Sequence, residues 1–145
     1  MADKDAWRRL YVGYLNHYKL VLSASQLDRV WGWLHDPESE LESVVATASD
    51  GRVVGLAHFR DVLSPSAANV DGFLEDLFVD PEERGRGVAD VLLVALRDLA
   101  TTRGWSVLQW ITADDNYRAR AKYDKYAQRT SWVTYEMSIK GVESP

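Results

Sequence analysis

The sequence contains no cysteine. Disulfides, thiolate zinc sites and a cysteine nucleophile are therefore excluded, and the chain suits a reducing cytoplasm. No apolar run approaches the ~20 residues of a membrane helix. The opening residues Met1-Ala2-Asp3-Lys4-Asp5 hold no apolar signal core. The expectation is a soluble cytoplasmic protein with no membrane partner. His17, His35 and His58 are scattered at spacings that suit no metal, so no metal is expected. Basic residues are the minority, 17 against 22 acidic, for a net charge of −5. Such a surface repels nucleic-acid backbones and attracts cations. No repeat, low-complexity tract or linker is visible, and 145 residues read as one domain spanning 1–145.

Apolar periodicity supplies the elements. Trp7, Leu10, Tyr11, Tyr14, Leu15 and Tyr18 recur at helical spacing, which predicts a helix over about 4–18, weakened in its middle by Gly13. A second helix follows, with Ser25 as its N-cap and Leu27, Val30, Trp31 and Leu34 as its buried face; Asp36-Pro37 ends it. Residues 43–48 and 52–60 form a hairpin around a two-residue Asp50-Gly51 turn. After a loop over 61–70, a strand over 73–79 stops at Asp80-Pro81. Residues 88–103 are helical, with Gly104 in the C-terminal cap position. A strand over 106–112, a helix over 116–128 and a strand over 132–139 complete the chain. This order predicts an α/β fold, a mixed and mostly antiparallel sheet flanked by helices, with a right-handed parallel crossover between residues 73 and 112.

The turn Arg84-Gly85-Arg86-Gly87 is the most informative segment. Its glycines permit a tight turn and close approach of a ligand. A helix begins directly after it, and the free N–H groups and dipole of a helix start favour an anion. Turn chemistry by itself leaves two readings open, a pyrophosphate cradle and an exposed turn holding two arginines. The P-loop pattern is absent, and the dinucleotide fingerprint fails because Asp90 stands where a small residue is needed. Downstream, Arg118, Arg120, Lys122, Lys125 and Arg129 form either a solvated helix face or a basic rim for phosphates.

Arg84-Gly85-Arg86-Gly87-Val88-Ala89 resembles the Arg/Gln-x-x-Gly-x-Gly/Ala signature of the GNAT superfamily of acyl-CoA-dependent N-acetyltransferases. Leu74-Glu75-Asp76-Leu77-Phe78-Val79-Asp80-Pro81 is similar to the strand that precedes this loop in that family. Asn116, Ala119, Tyr123 and Lys125 fall on its Asn-x-x-Ala-x-x-x-Tyr-x-Lys pattern. The Leu-Glu-Asp-Leu-Phe-Val strand, Trp110–Thr112 and the Tyr-Asp-Lys at 123–125 look most like the polyamine and histone acetyltransferase branch. The likeness is strongest from 73 to 128. It departs at three places: no strand precedes the first helix, one strand rather than two follows the last, and Ala127-Gln128 replaces a frequent Gly-Phe.

The resemblance implies acetyl-CoA as cosubstrate and assigns it binding residues. Backbone amides of Gly85, Arg86, Gly87, Val88, Ala89 and Asp90, with the charge of Arg84, would hold the pyrophosphate. The strand around Leu77, Phe78 and Val79 would splay from its neighbour and pair with the pantetheine arm. Asn116 would bond that arm, Ala119 would leave room for it, and all three of 116, 119 and 123 would share one helix face.

Attack on a thioester needs a neutral amine, whereas an alkylammonium keeps its proton up to a pKa near ~10.4. Glu75, one strand repeat from Leu77, is the candidate base; its other reading is a ligand for a cationic substrate. Strict alternation sends Asp76 to the opposite face. Tyr123 is the candidate general acid for the CoA thiolate, its other reading a packed core tyrosine. Most of Tyr11, Tyr14, Tyr18, Trp31 and Trp33 read as core, with one or two left to hold an ammonium by cation–π attraction. His58 reads as a structural histidine. The expected activity is acetyl transfer to a primary amine on a small cationic acceptor, polyamine-like or amino-acid-like. Protein lysine or N-terminal acetylation and a non-catalytic acyl-CoA-binding module are the alternatives. Exposed sheet edges invite pairing, so a homodimer is expected, with exchange of the C-terminal strand.

Overall fold

The computed structural model describes residues 3–141. The chain divides into two compact units, Met1–Trp110 and Ile111–Pro145.

The first unit holds helices α1 (Lys4–His17) and α2 (Ala24–His35), strands β1 (Leu41–Thr47), β2 (Val53–Ser64) and β3 (Asn69–Val79), a 3₁₀ turn at Pro81–Glu83, helix α3 (Val88–Arg103) and strand β4 (Leu108–Gln109). Asp3 caps α1 by accepting from the Ala6 amide at 3.0 Å. The cap of α2 is Ser23, two residues before the expected Ser25. Gln26 answers it reciprocally: the Gln26 amide donates to Ser23 Oγ at 3.2 Å, and the Ser23 amide donates to Gln26 Oε1 at 2.8 Å.

The sheet runs β1-β2-β3-β4, antiparallel except for the parallel β3–β4 pair. The mixed, mostly antiparallel sheet and the parallel crossover are thus as the sequence suggested. The first hairpin closes by three residues rather than two. The Ala48 amide donates to the Arg52 carbonyl and the Gly51 amide to the Ala48 carbonyl. Gly51 takes the left-handed conformation at φ 87°, the geometry of a type I turn with a bulge. The second hairpin is longer than expected, because β2 and β3 pair as far as Ser64↔Asn69 and leave only residues 65–68 as loop.

Each face of the sheet has its own packing. Trp7, Leu10, Tyr11 and Leu15 of α1 and Leu27 of α2 close over Leu56 and Phe78. Gly13 sits where α1 crosses β3; a Cβ there would lie 2.9 Å from the Phe78 ring, so the helix-weakening residue is what admits this crossing. On the other face Leu92 of α3 packs with Ala46 and Val54, while Trp105 meets the Phe59 ring edge-on.

β4 is two residues long, not seven. It pairs with β3 only through Gly72↔Leu108 and Phe73↔Gln109. Buried Asp71 anchors this start, accepting from the Ser106 amide and hydroxyl at 2.9 and 2.8 Å. Beyond Phe73, no described residue pairs with β3 on that side, so its backbone edge from Leu74 to Val79 stays open.

In the second unit α4 spans Tyr117–Tyr123 and is the one regular element among the described residues. The expected strand over 132–139 is not formed. Its residues lie exposed, Tyr135 at 92%. The alternation Val133, Tyr135, Met137, Ile139 against Trp132, Thr134, Glu136, Ser138 is a strand pattern. A strand, however, exists only through a neighbour's hydrogen bonds. Residues 142–145 lie outside the described residues.

Candidate active site

Three features of the first unit form the candidate site: the turn before α3, the open edge of β3 and a cavity between β2, β3 and the first helices.

Gly85 and Gly87 both adopt the left-handed conformation, at φ 80° and 79°. This is the backbone state that disfavours side chains and that the Gly-x-Gly spacing anticipates. Gly87 is the N-cap of α3, and no side chain caps that helix. Its first-turn amides are therefore presented at the turn, as an anion site requires. The arginines are already engaged. Arg84 lies over the Phe78 ring at 5.5 Å. Arg86 donates to Glu83 at 3.2 Å, and Glu83 also receives Arg52 at 3.3 Å. The loop thus presents backbone donors more than free positive charge. A Cβ on Gly55 would meet Val88 Cγ1 at 2.9 Å, so α3 starts in tight contact with β2.

The cavity has a volume of about 460 Å³ and is lined by Tyr11, Val30, Trp33, Ser39, Glu40, Leu41, His58, Arg60, Glu75 and Asp76. It carries three carboxylates against one guanidinium. The expectation that Asp76 faces away from Glu75 is wrong, and the register explains why. His58 pairs with Asp76 and Phe59 with Leu74, so Glu75 is the extra residue of a β-bulge. The bulge breaks the alternation and brings both carboxylates to the cavity.

Their surroundings differ sharply. Glu75 is exposed, and Arg60 Nε donates to it at 2.6 Å. Arg60 in turn lies 5.4 Å from the centre of the Phe73 ring. Asp76 is 16% exposed and receives His58 Nδ1 at 2.9 Å. His58 is fully buried, and its Nε2 accepts from the Trp7 indole N–H at 3.0 Å. Burial first, then the Asp76 charge, pushes the Tyr11 and Tyr14 phenols well above their ordinary range. Tyr11 also packs edge-on against the His58 ring at 4.9 Å.

The remaining sequence candidates lie in the second unit. Asn116 is the N-cap of α4, its Oδ1 accepting from the Ala119 amide at 3.4 Å. It precedes the helix, so Ala119 and Tyr123 share a helix face and Asn116 sits at its end. Tyr123 is the last residue of α4. Of the basic residues, Arg120 stacks on Tyr117 at 5.8 Å and bonds the Asp114 carbonyl.

Sequence reasoning undervalued Trp7, His58 and Asp76. Trp7 has the spacing of a core residue, which it is, and no pattern reveals that its N–H meets a histidine 51 positions away.

Comparison with known proteins fits this geometry. The family model described as the acetyltransferase (GNAT) family matches residues 5–127, running across both units. The chain therefore belongs to the acetyltransferase (GNAT) family. A D-amino-acid N-acetyltransferase of Saccharomyces cerevisiae is 27% identical over 135 residues, covering 92% of this chain and 84% of the relative. An aminoglycoside N(6')-acetyltransferase type 1 of Stenotrophomonas maltophilia is 31% identical over 99 residues, 66% of this chain and 60% of that protein. Among solved structures, a ribosomal-protein-alanine N-acetyltransferase from Brucella melitensis biovar Abortus superposes with a TM-score of 0.75 at 25% identity, covering 94% and 92% of the two chains. The chain is an acetyl-CoA-dependent N-acetyltransferase.

Proposed function

We propose that this enzyme acetylates a primary amine on a small cationic acceptor, by direct attack on acetyl-CoA. The observation that carries this reading is the cavity, where Glu40, Glu75 and Asp76 outnumber Arg60. An ammonium is drawn to such a site, and Tyr11 and Trp33 add aromatic faces to its lining. The uncapped start of α3, with Gly85 through Asp90, would take the pyrophosphate, and Arg84 would stay stacked beside it. The open edge of β3 at Leu77, Phe78 and Val79 would pair with the pantetheine arm, as an added strand pairs with any free edge. Asn116 would offer its amide nitrogen as a donor to the same arm, with small Ala119 beside it. Tyr123 would protonate the departing thiolate, while the Glu75 and Asp76 carboxylates receive the acceptor. Positioning and polarisation of an already activated thioester supply most of the rate. No covalent acetyl-enzyme is required.

Thiol release from acetyl-CoA with polyamines, amino acids, aminoglycosides and a lysine peptide tests this reading. Small cationic amines should give the highest kcat/KM. A preference for the peptide would transfer the proposal to protein acetylation, and CoA binding without any turnover would leave only a binding module.

An amino-acid acceptor has one specific observation in its favour. Arg60, the sole guanidinium lining the cavity, could take a substrate carboxylate from Glu75. The name of the yeast relative points the same way. Removal of the carboxylate from an accepted amino acid should then raise KM, and Arg60→Met should abolish that difference.

We also propose a cytoplasmic homodimer of single catalytic domains. No helix among the described residues is long and apolar enough to cross a membrane. The alternating segment 132–139 and the outer edges of β1 and β4 are the surfaces a second copy would join. Sedimentation of the full chain and of a Tyr135→Lys, Met137→Lys variant tests the dimer; a monomeric wild type would exclude it.

A further inference from the structure

We propose that Asp76 is the carboxylate that takes the acceptor's proton, with Trp7 and His58 as the positioning residues that hold it; this rests on the acetyltransferase reading above. One group in the chain of bonds has no choice of role. An indole N–H can only donate. Since Trp7 Nε1 meets His58 Nε2 at 3.0 Å, that nitrogen must offer its lone pair. The imidazole proton therefore sits on Nδ1, which donates to Asp76 Oδ2 at 2.9 Å. Both ring nitrogens are engaged and the ring is fully buried, so His58 has no site left with which to act as a base itself. Its effect passes through Asp76.

Asp76 and Glu75 share the cavity but not its chemistry. Glu75 carries its own cation, Arg60 at 2.6 Å. The donor to Asp76 is the His58 imidazole N–H, which is not a cation in this arrangement. One imidazole donor leaves the Asp76 carboxylate, with roughly four lone-pair sites, room to accept from an ammonium. The negative charge of Asp76 is the one in the pair without a positive partner, and an incoming ammonium supplies it.

The reaction then balances. Asp76 takes one proton from the ammonium. The freed nitrogen lone pair forms the new C–N bond to the acetyl carbon as the C–S bond breaks. The Tyr123 phenol gives its proton to the departing thiolate and is restored by the second N–H proton, and Asp76 returns its proton to solvent.

The test compares Asp76→Asn, Glu75→Gln, His58→Asn and His58→Gln in the full chain, using thiol release at saturating acetyl-CoA. Asp76→Asn should lower kcat/KM for the amine by about 100-fold or more, and Glu75→Gln by less than about tenfold. His58→Asn keeps an amide donor near the Nδ1 position and should retain most of kcat. His58→Gln moves the donor away and should lose kcat with KM for acetyl-CoA unchanged. A larger loss in Glu75→Gln than in Asp76→Asn would overturn the proposal, as would equal losses in kcat from both His58 variants. A wild type that acetylates no amine would overturn the functional reading itself, whereas an active wild type with an equally active Asp76→Asn would overturn this assignment alone. Imidazole nitrogen NMR of the wild-type protein gives a readout independent of activity and of variant folding. It should show His58 protonated at Nδ1 and bare at Nε2; the opposite tautomer would remove the positioning role.

Discussion

The turn before α3 and the carboxylate cavity are two ends of the same candidate site, built in opposite ways. The turn works through backbone: two left-handed glycines and an uncapped helix start. Its chemistry is written in consecutive residues, so a short pattern suffices to find it. The cavity works through side chains from α1, β2 and β3, locked by a bulge and by bonds across 51 and 18 positions. Nothing local encodes it. A site made of backbone is thus legible as a motif, and a site made of side-chain networks becomes legible only after folding.

This contrast can be tested by substitutions that touch one side only. The largest effect is expected from Tyr123→Phe, which should lower kcat by about 100-fold or more if the phenol protonates the leaving thiolate. CoA affinity, measured by titration calorimetry, should barely change; equal losses in turnover and binding would make Tyr123 a structural residue. Next comes Gly87→Asp, which puts a carboxylate where the backbone-built site is to hold phosphate. A like charge beside the phosphates should make acetyl-CoA bind roughly 10- to 100-fold more weakly. Desulfo-CoA and adenosine diphosphate should weaken in parallel, and undiminished binding would remove the turn from the site.

Trp7→Phe probes the side-chain-built half. It deletes the donor to the buried His58 nitrogen and should cost about 1–3 kcal/mol of stability in urea unfolding. CoA affinity should stay near wild type, and a large loss there would mean that the two halves are not separable. The smallest effect concerns acid. Asp71 is held below its usual range chiefly by the Ser106 hydroxyl, with help from the Ser106 and Val107 amides. A carboxyl depressed in the fold contributes stability above its unfolded pKa of about 3.9, and that stability is lost as pH falls through the lower folded value. The melting temperature should therefore decline below about pH 4, and Asp71→Asn should flatten that decline.

Particular elements show where sequence reading succeeds. The α1 periodicity of Trp7, Leu10, Tyr11 and Leu15 gave its buried face because helix geometry is local. Gly104 marked the end of α3 because its φ of 76° suits few other residues. The failures are equally physical. Ser25 looked like a cap, but Gln26 completes a reciprocal pair with Ser23, and both patterns exist in the same few residues. Glu75 and Asp76 were assigned to opposite faces because alternation holds only while register does. The strand over 132–139 has the right pattern, yet a pattern cannot supply hydrogen-bond partners.

By itself, then, the sequence determined the first three helices, the two strands of the first hairpin, the glycine turn at the start of α3 and the enzyme class. All depend on neighbours in the chain, on 3.6- and 2-residue periods and on the few residues that tolerate a positive φ. Only the tertiary structure decided which carboxylate is paired with a cation, which His58 nitrogen meets the Trp7 indole and where β4 leaves β3 open. These depend on strand register and on contacts between residues far apart in the chain, and a single bulge at Glu75 is enough to change them.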